Sequence, residues 1–512
     1  MKKLILLVSL LSFSMHSQNV TVNSGRSFTI QSTSSLTVGG NFTNTAGTVT
    51  LNSSSDEFSS LLVSGASSGD ITYNRYVNIV GTGDWDLVGA PVSGMAFSEL
   101  IIDPNIATNG SGVYAVGAYD NSLDTWTNAT NATTGDLALG QGYQMATTNG
   151  GTLSFTGAIA NGDQSVIINN NNAANSGSGR RWNLIANPFA SYLHGNTNAD
   201  GTNNFLTVNT AAIDDNFEAI YGWKADGTGY EIYNNSSTTT YIAPGQGFFV
   251  AAAGSGADQT ISFTQAMQTV TGADDFISGR IMNPTSSEFL LKLYEDEILI
   301  DNTRFYFDND LTLGLDPGYD AGHFNQDAPL MSRLVEEDEG IGFAINAMGS
   351  DALGGVSIPL EVNQLSNVPF RISLEDSSIA PDIEVQLEDR LLETLTLLND
   401  EDFTLTAEDD LIGIGRFYLH LGNVTLGVND PEDSYVRVYK PNNSDYIAIE
   451  GLVNIQKARI KLYNLIGQEI IHKVLSNNQT NYRISTQGIP QGVYVIKLQF
   501  ENSKITKKLI IN

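Results

Sequence analysis

The side chains able to do acid–base, nucleophilic or metal chemistry are few in this 512-residue chain and poorly spaced for it. Cysteine is absent, so thiol nucleophiles and thiolate ligands are excluded. The five histidines, His16, His194, His323, His420 and His472, are dispersed, and none stands in a His-Glu-x-x-His or comparable ligand spacing. Gly65-Ala-Ser-Ser-Gly69 fits the Gly-x-Ser-x-Gly pattern. A nucleophile elbow needs a strand feeding a helix, however, and small polar residues between two strands predict a turn.

Carboxylates are the plentiful groups. Asp308, Asp310, Asp316 and Asp320 place oxygen donors in successive loops, the ligands a calcium ion takes, and are the metal candidates. Asp214-Asp-Asn216 with Glu218 is a second set; neither fits the EF-hand pattern, and solvated loop acids are the alternative reading. No other cofactor is implied. A pair of acids for glycoside hydrolysis would have to face each other across roughly 5 to 9.5 Å, which is a spatial fact. Aromatic faces pack against the C–H surfaces of sugars. Trp126, Trp223, Tyr230 and Tyr233 lie among Asn, Asp and Gly and are the glycan-contact candidates, whereas Trp85 and Trp182 stand beside apolar runs and read as core.

The elements that would position these groups are strands. Residues 19–72 carry short β segments such as Val20-Thr-Val22, Phe28-Thr-Ile30 and Leu36-Thr-Val38 separated by Gly, Ser and Asn, the pattern of a small β-solenoid or a meander of hairpins. Trp85-Asp-Leu-Val-Gly-Ala-Pro-Val92 then recurs as Trp182-Asn-Leu-Ile-Ala-Asn-Pro-Phe189, Leu139-Gly-Gln-Gly-Tyr143 as Pro244-Gly-Gln-Gly-Phe248, and Thr152-Leu-Ser-Phe-Thr156 as Thr260-Ile-Ser-Phe-Thr264. Three blocks recurring in order predict two copies of one β unit, at 73–162 and 179–270, joined by an Asn-rich linker. Residues 277–428 read as a β-sandwich, with 391–398 compatible with a helix as well, and 429–445, broken by Pro431, as a linker. The fold class is therefore all-β and multi-domain.

Both ends carry addresses. Met1-Lys2-Lys3, the apolar run 4–13 and a small polar exit make a secretory signal peptide, 1–18, too short to span a membrane. At the other end, Lys457-Ala-Arg-Ile-Lys-Leu-Tyr-Asn464 alternates apolar and polar residues and is followed by evenly spaced strands, the pattern of a small immunoglobulin-like sandwich. The series Lys461-Leu-Tyr-Asn-Leu-Ile-Gly-Gln468, Ile484-Ser-Thr486, Gly492-Val-Tyr-Val-Ile-Lys497 and Lys507-Lys-Leu-Ile-Ile511 resembles the type A sorting domain of the Bacteroidetes type IX secretion system, over 446–512. Gly467, Gln468, Gly492, Tyr494, Lys507 and Lys508 carry that motif. The resemblance implies passage through the outer membrane by the type IX machinery, removal of the tail by a sortase-like peptidase and attachment of the passenger to surface lipopolysaccharide. The Trp-Asn-Leu-Ile-x-Asn-Pro and Pro-Gly-Gln-Gly-Phe segments look like those of large Bacteroidetes surface proteins.

Charge agrees with an exported passenger. The chain holds 25 Lys+Arg against 56 Asp+Glu, net −31, a surface that repels phosphate backbones and makes nucleic acid a poor partner. From Asp430 onward the count is 11 Lys+Arg and 7 Asp+Glu, net 11 − 7 = +4, so the tail is electrostatically distinct from its cargo. The expectation is a non-enzymatic cell-surface or secreted protein, adhesive or structural; a glycan-binding protein is the alternative, and a hydrolase a more distant one. Deleting 446–512 is expected to trap the body in the periplasm. Surface immunolabelling of cells expressing the truncated chain checks this, and undiminished labelling would contradict it.

Overall fold

A computed structural model describes residues 14–81, 85–171, 178–224, 229–254, 257–272, 274, 287–422, 436–440, 444–452, 457–475, 481–500 and 503–511. The chain divides into two compact units, 1–281 and 282–512. Most of the leader expected at 1–18 lies outside the described residues, as do 172–177 of the Asn-rich linker and 429–435 of the second linker.

The first unit begins as a parallel coil. Ser14–Ser17, Ser35–Val38 and Ser60–Val63 form one parallel sheet, and Val20–Asn23, Phe42–Thr45 and Ser67–Ser68 a second. In the third, Ser27–Ile30, Thr48–Asn52 and Asp70–Val77 stack in parallel. Each turn of chain lays one strand on each sheet, which is the solenoid alternative and not the hairpin meander. Strands this short bury one or two side chains apiece, and Val22, Ile30, Leu36, Val38, Phe42, Val49, Leu51 and Leu61 fill the interior. The corners are tied by asparagines that bond the backbone of the next turn: Asn41 N–H donates to Asn19 Oδ1 (2.8 Å), and Ala66 N–H to Asn41 Oδ1 (2.9 Å). Gly65-Ala-Ser-Ser-Gly69 sits on such a rung and is followed directly by the strand Asp70–Val77.

Two four-stranded sheets follow with the same strand order. The first runs Asp86–Val88, Tyr143–Met145, Val113–Asp120, Thr125–Thr130; the second runs Trp182–Ala186, Gly247–Ala251, Ile220–Trp223, Tyr230–Tyr233. Strand Gly151–Ala158 pairs antiparallel with Asp70–Val77, and Asp258–Phe263 pairs antiparallel with Gln164–Asn169, so the Thr-x-Ser-Phe-Thr blocks occupy equivalent strands.

The Gly-Gln-Gly segments lie where the backbones of the two sheets meet, each against the first strand of the other. Gly142 N–H donates to Leu184 O (3.2 Å) and Ala186 N–H to Gly140 O (2.8 Å); reciprocally, Gly89 N–H donates to Gly245 O (2.8 Å). Gln141 Nε2 donates to Leu184 O (2.8 Å). A Cβ on Gly247 would lie 2.6 Å from the Leu87 carbonyl carbon, and one on Gly142 would lie 2.6 Å from Leu184 Cγ. Gly140 and Gly245, at φ 79° and 66°, make the turns that lead in. Beneath this junction Arg75, 1% exposed, donates from Nε to Pro244 O (3.0 Å) and stacks over Phe58 at 4.1 Å.

In the second unit, residues 287–421 form one sheet of eleven strands that folds over a single core including Phe289, Phe305, Leu360, Phe370, Leu387, Phe403 and Leu419. The ambiguous 391–398 segment contains a strand, Thr394–Leu397, paired with Val385–Asp389. The C-terminal module has two sheets over its own core: Arg437–Tyr439, Tyr446–Glu450, Tyr482–Ser485, and Glu469–Leu475, Ala458–Asn464, Gly492–Phe500, Ser503–Ile511. Ile460 and Leu462 point inward while Arg459 is exposed, as the alternation predicts. Strand Arg437–Tyr439 falls inside the stretch read as a linker. It pairs with Tyr446–Glu450, so the module begins before 446; three residues between Pro431 and Pro441 are too few to show an alternating pattern.

Gly247→Ala forces the Leu87 backbone to move and is expected to cost about 2 kcal/mol or more in urea denaturation. Gly201, with nothing within 4 Å of its would-be Cβ, should tolerate Ala with a change of about 0.5 kcal/mol or less.

Candidate glycan-contact surface

Two antiparallel strand pairs present the aromatic candidates. Tyr119 and Trp126 are directly opposed across the hairpin of the first sheet, and Trp223 and Tyr230 across the corresponding hairpin of the second. Opposed side chains on paired strands share a face, so each pair makes a ring contact: 5.2 Å between the Tyr119 and Trp126 centroids and 5.0 Å between Trp223 and Tyr230.

The pairs converge on Phe249, which is 1% exposed and belongs to the strand Gly247–Ala251. Its ring lies edge-on to Tyr119 (5.2 Å), Trp126 (6.1 Å) and Tyr230 (5.9 Å). Five rings from both sheets thus form one cluster, with Phe249 as its floor and Trp126, 39% exposed, as its outermost member.

Polar groups rim the cluster. Tyr119 Oη donates to Asp124 Oδ1 (2.7 Å), and Asp124 itself takes φ 55° in the hairpin turn. Burial pushes the Tyr119 and Tyr230 hydroxyls well above the usual phenol range, with the Asp124 charge adding to both, so both stay protonated at neutral pH. The Ser122 hydroxyl donates to Asp120 Oδ1 (2.6 Å) and holds that carboxyl below its ordinary value. Arg180 donates to Ser122 O, whereas the Lys224–Glu231 pair, at 3.6 Å, includes a strand residue that alternates onto the face opposite Tyr230. An exposed indole edged by neutral phenols, carboxylates and a cation can stack on a sugar ring while its rim exchanges hydrogen bonds with hydroxyls.

Sequence reading had Trp126, Trp223 and Tyr230, and these come together. Tyr233 is buried in the second sheet's core and is not part of the cluster. Tyr119 and Phe249 were missed. Tyr119 could have been found by pairing the two arms of its hairpin, but Phe249 reaches the first sheet only through the tertiary junction. Trp182 is 1% exposed, packed on Phe217 and Tyr221, and Trp85 is partly buried.

The four aspartates of the calcium reading do not converge. Among the described residues no group of three or more His, Asp or Glu could hold a metal ion. Asp320 is fully buried, and its two oxygens accept the N–H groups of Ala347 (2.7 Å) and Asp316 (2.7 Å). Asp316 Oδ2 accepts Thr312 N–H (2.7 Å), and Asp308 Oδ1 accepts Asp310 N–H (3.4 Å). These carboxylates satisfy loop backbone, a role that spacing alone does not distinguish from ligation. In the second set, Asp214 caps a short turn by accepting Asn216 N–H (3.1 Å), and Glu218 accepts the Thr210 hydroxyl (2.8 Å). The histidines meet separate carboxylates: His323 with Asp301 at 3.2 Å, His420 with Glu388 at 2.9 Å, and His194 with Asp200 at 4.0 Å.

The six motif residues of the tail belong to the four-stranded sheet and one of its turns. Gly467, at φ 80°, and Gln468 form a turn closed by Asn464, whose Oδ1 accepts Gln468 N–H (2.9 Å). Tyr494 Oη donates to Pro490 O (2.7 Å), Gly492 pairs with Ile511, and Lys507 and Lys508 are exposed on the edge strand.

A family described as Domain of unknown function (DUF8693) matches residues 7–420, and one described as Secretion system C-terminal sorting domain matches residues 438–512. No curated protein matches the chain. Among the described residues no helix is long and apolar enough to cross a membrane.

Burial pushes the Asp320 carboxyl up to about 8. Its folded value therefore exceeds the unfolded one, and the stability it contributes is complete below about pH 4 and is lost as pH rises through about 8. Urea denaturation of the full chain from about pH 5 to about pH 9 should show the 282–512 transition weakening, with a smaller slope in Asp320→Asn.

Proposed function

The chain belongs to the DUF8693 family and ends in a type IX secretion sorting domain, so it is a secreted or cell-surface protein handled by that machinery, and from this premise we propose that it is a non-catalytic adhesive protein that contacts carbohydrate. Trp126, exposed on a five-ring cluster built from both sheets, is the observation that carries the reading. The matching strand orders and recurring blocks support an internal duplication as the origin of that surface. Neutral phenols beside Asp120 and Asp124 suit polyhydroxylated ligands better than anionic ones. The same reading includes a secretory leader at 1–18, removal of the tail by a sortase-like peptidase and attachment to surface lipopolysaccharide.

The dispersed histidines and the carboxylates committed to loop backbone favour binding over hydrolysis. A glycan array probed with the purified full chain should give bound oligosaccharides. Trp126→Ala should weaken the best of them by about tenfold or more, as truncation of a central aromatic anchor does. No binding on the array, or unchanged binding by Trp126→Ala, counts against the proposal.

A further inference from the structure

The second unit contains a buried polar seam where the sandwich meets the sorting domain. Arg333 of the sandwich has a side chain only 2% exposed, and it is held by its own domain through Asp338 (Nε to Oδ1, 3.1 Å) and Glu361 (NH1 to Oε2, 3.0 Å). The sorting domain supplies Glu450, 3.8 Å from NH1, and the ring of Tyr439, 5.5 Å from the guanidinium carbon. Tyr439 Oη in turn donates to Glu450 Oε1 (2.9 Å).

Backbone contacts surround this centre. Arg437 NH2 donates to Val335 O (3.0 Å), and Asn481 Nδ2 donates to Ile412 O (2.8 Å). A Cβ on Gly340 would lie 2.0 Å from Tyr439 Cε2, and one on Gly415 would lie 2.5 Å from Gly451 Cα. Approach this close is direct contact between the two domains, which also line a shared cleft of about 1650 Å³ that includes Arg333, Tyr439 and Glu450. Every tail residue in it lies on, or at the end of, the three-stranded sheet. The six motif residues lie on the other sheet or in its Gly467 turn, whereas the motif segment Ile484-Ser-Thr486 lies on this one.

We propose that the sorting domain is docked on the sandwich through its three-stranded sheet, centred on Arg333 and Tyr439, and remains bound after the connecting chain is cut, while its four-stranded sheet stays presented to the secretion machinery. The occupant of the seam is therefore the chain's own tail. Three acids, Asp338, Glu361 and Glu450, face one guanidinium, so a seam lacking Arg333 would bury like charges without a cation. Burial raises the Glu450 carboxyl above its ordinary range, and its Oε2 accepts no hydrogen bond. The pairing therefore fixes where the tail sits more than it strengthens the contact. Tyr439 is absent from the tail's own hydrophobic core, so its ring serves the seam.

The test uses the full chain with a protease recognition sequence placed within 423–435, between the strands Phe417–Leu421 and Arg437–Tyr439. After cutting, body and tail should co-elute on size exclusion, and a dilution series gives their dissociation constant. Tyr439→Ala should weaken it by about tenfold or more, and Arg333→Met should release the tail. Should Arg333→Met fail to fold, Tyr439→Ala decides alone, because it leaves the tail's core intact. Separate elution of the cut wild-type fragments, or reassociation of Tyr439→Ala as tight as wild type, overturns the proposal.

Discussion

Two backbones in the first unit approach to a distance that only glycine allows, and the aromatic surface depends on that approach. Gly142 lies against Leu184 and Gly247 against Leu87, with each glutamine loop hydrogen-bonded to the chain at the first strand of the other sheet. Because the Gly247–Ala251 strand is pressed there, its second phenylalanine, Phe249, reaches Tyr119 and Trp126 of the first sheet. A side chain at the junction would part the sheets, and the floor of the cluster would be lost before any ring was changed.

The acidity of the chain has a second use besides repelling polyanions. Buried carboxylates repeatedly satisfy backbone or arginine where a loop would otherwise strand polar groups: Asp320 takes two N–H groups, Asp389 holds Arg416 through two bonds of 2.9 and 2.7 Å, and Asp86 takes the Asn78 N–H (2.8 Å). Without disulfides, irregular connections between strands need such internal partners, since an unpaired buried N–H costs about as much as a lost hydrogen bond. These three buried aspartates thus serve the structure.

At the other end, a module with its own core is nonetheless joined to its neighbour by charged and aromatic groups. Its two sheets divide the labour. One carries Arg437, Tyr439 and Glu450 toward the sandwich, and the other carries the Gly467 turn and the exposed lysines Lys507 and Lys508. A basic edge strand also resists pairing with other chains, a common protection for exposed sheet edges.

What the amino-acid order determined by itself was local or repetitive. Alternation marked Ile460 and Leu462 as inward, the recurring Trp-x-Leu and Gly-Gln-Gly blocks marked two sheets of one strand order, and the ordered tail motifs marked the export address. These are legible because strand periodicity and turn chemistry act over a few residues. The tertiary structure alone decided which loop carboxylates face backbone amides, that Phe249 completes a cluster begun by Trp126, and that Arg333 meets Tyr439 across more than a hundred residues of chain. Those outcomes depend on how loops, strand edges and glycine gaps come together in space, and for Phe249 and Arg333 no short window along the chain contains both partners.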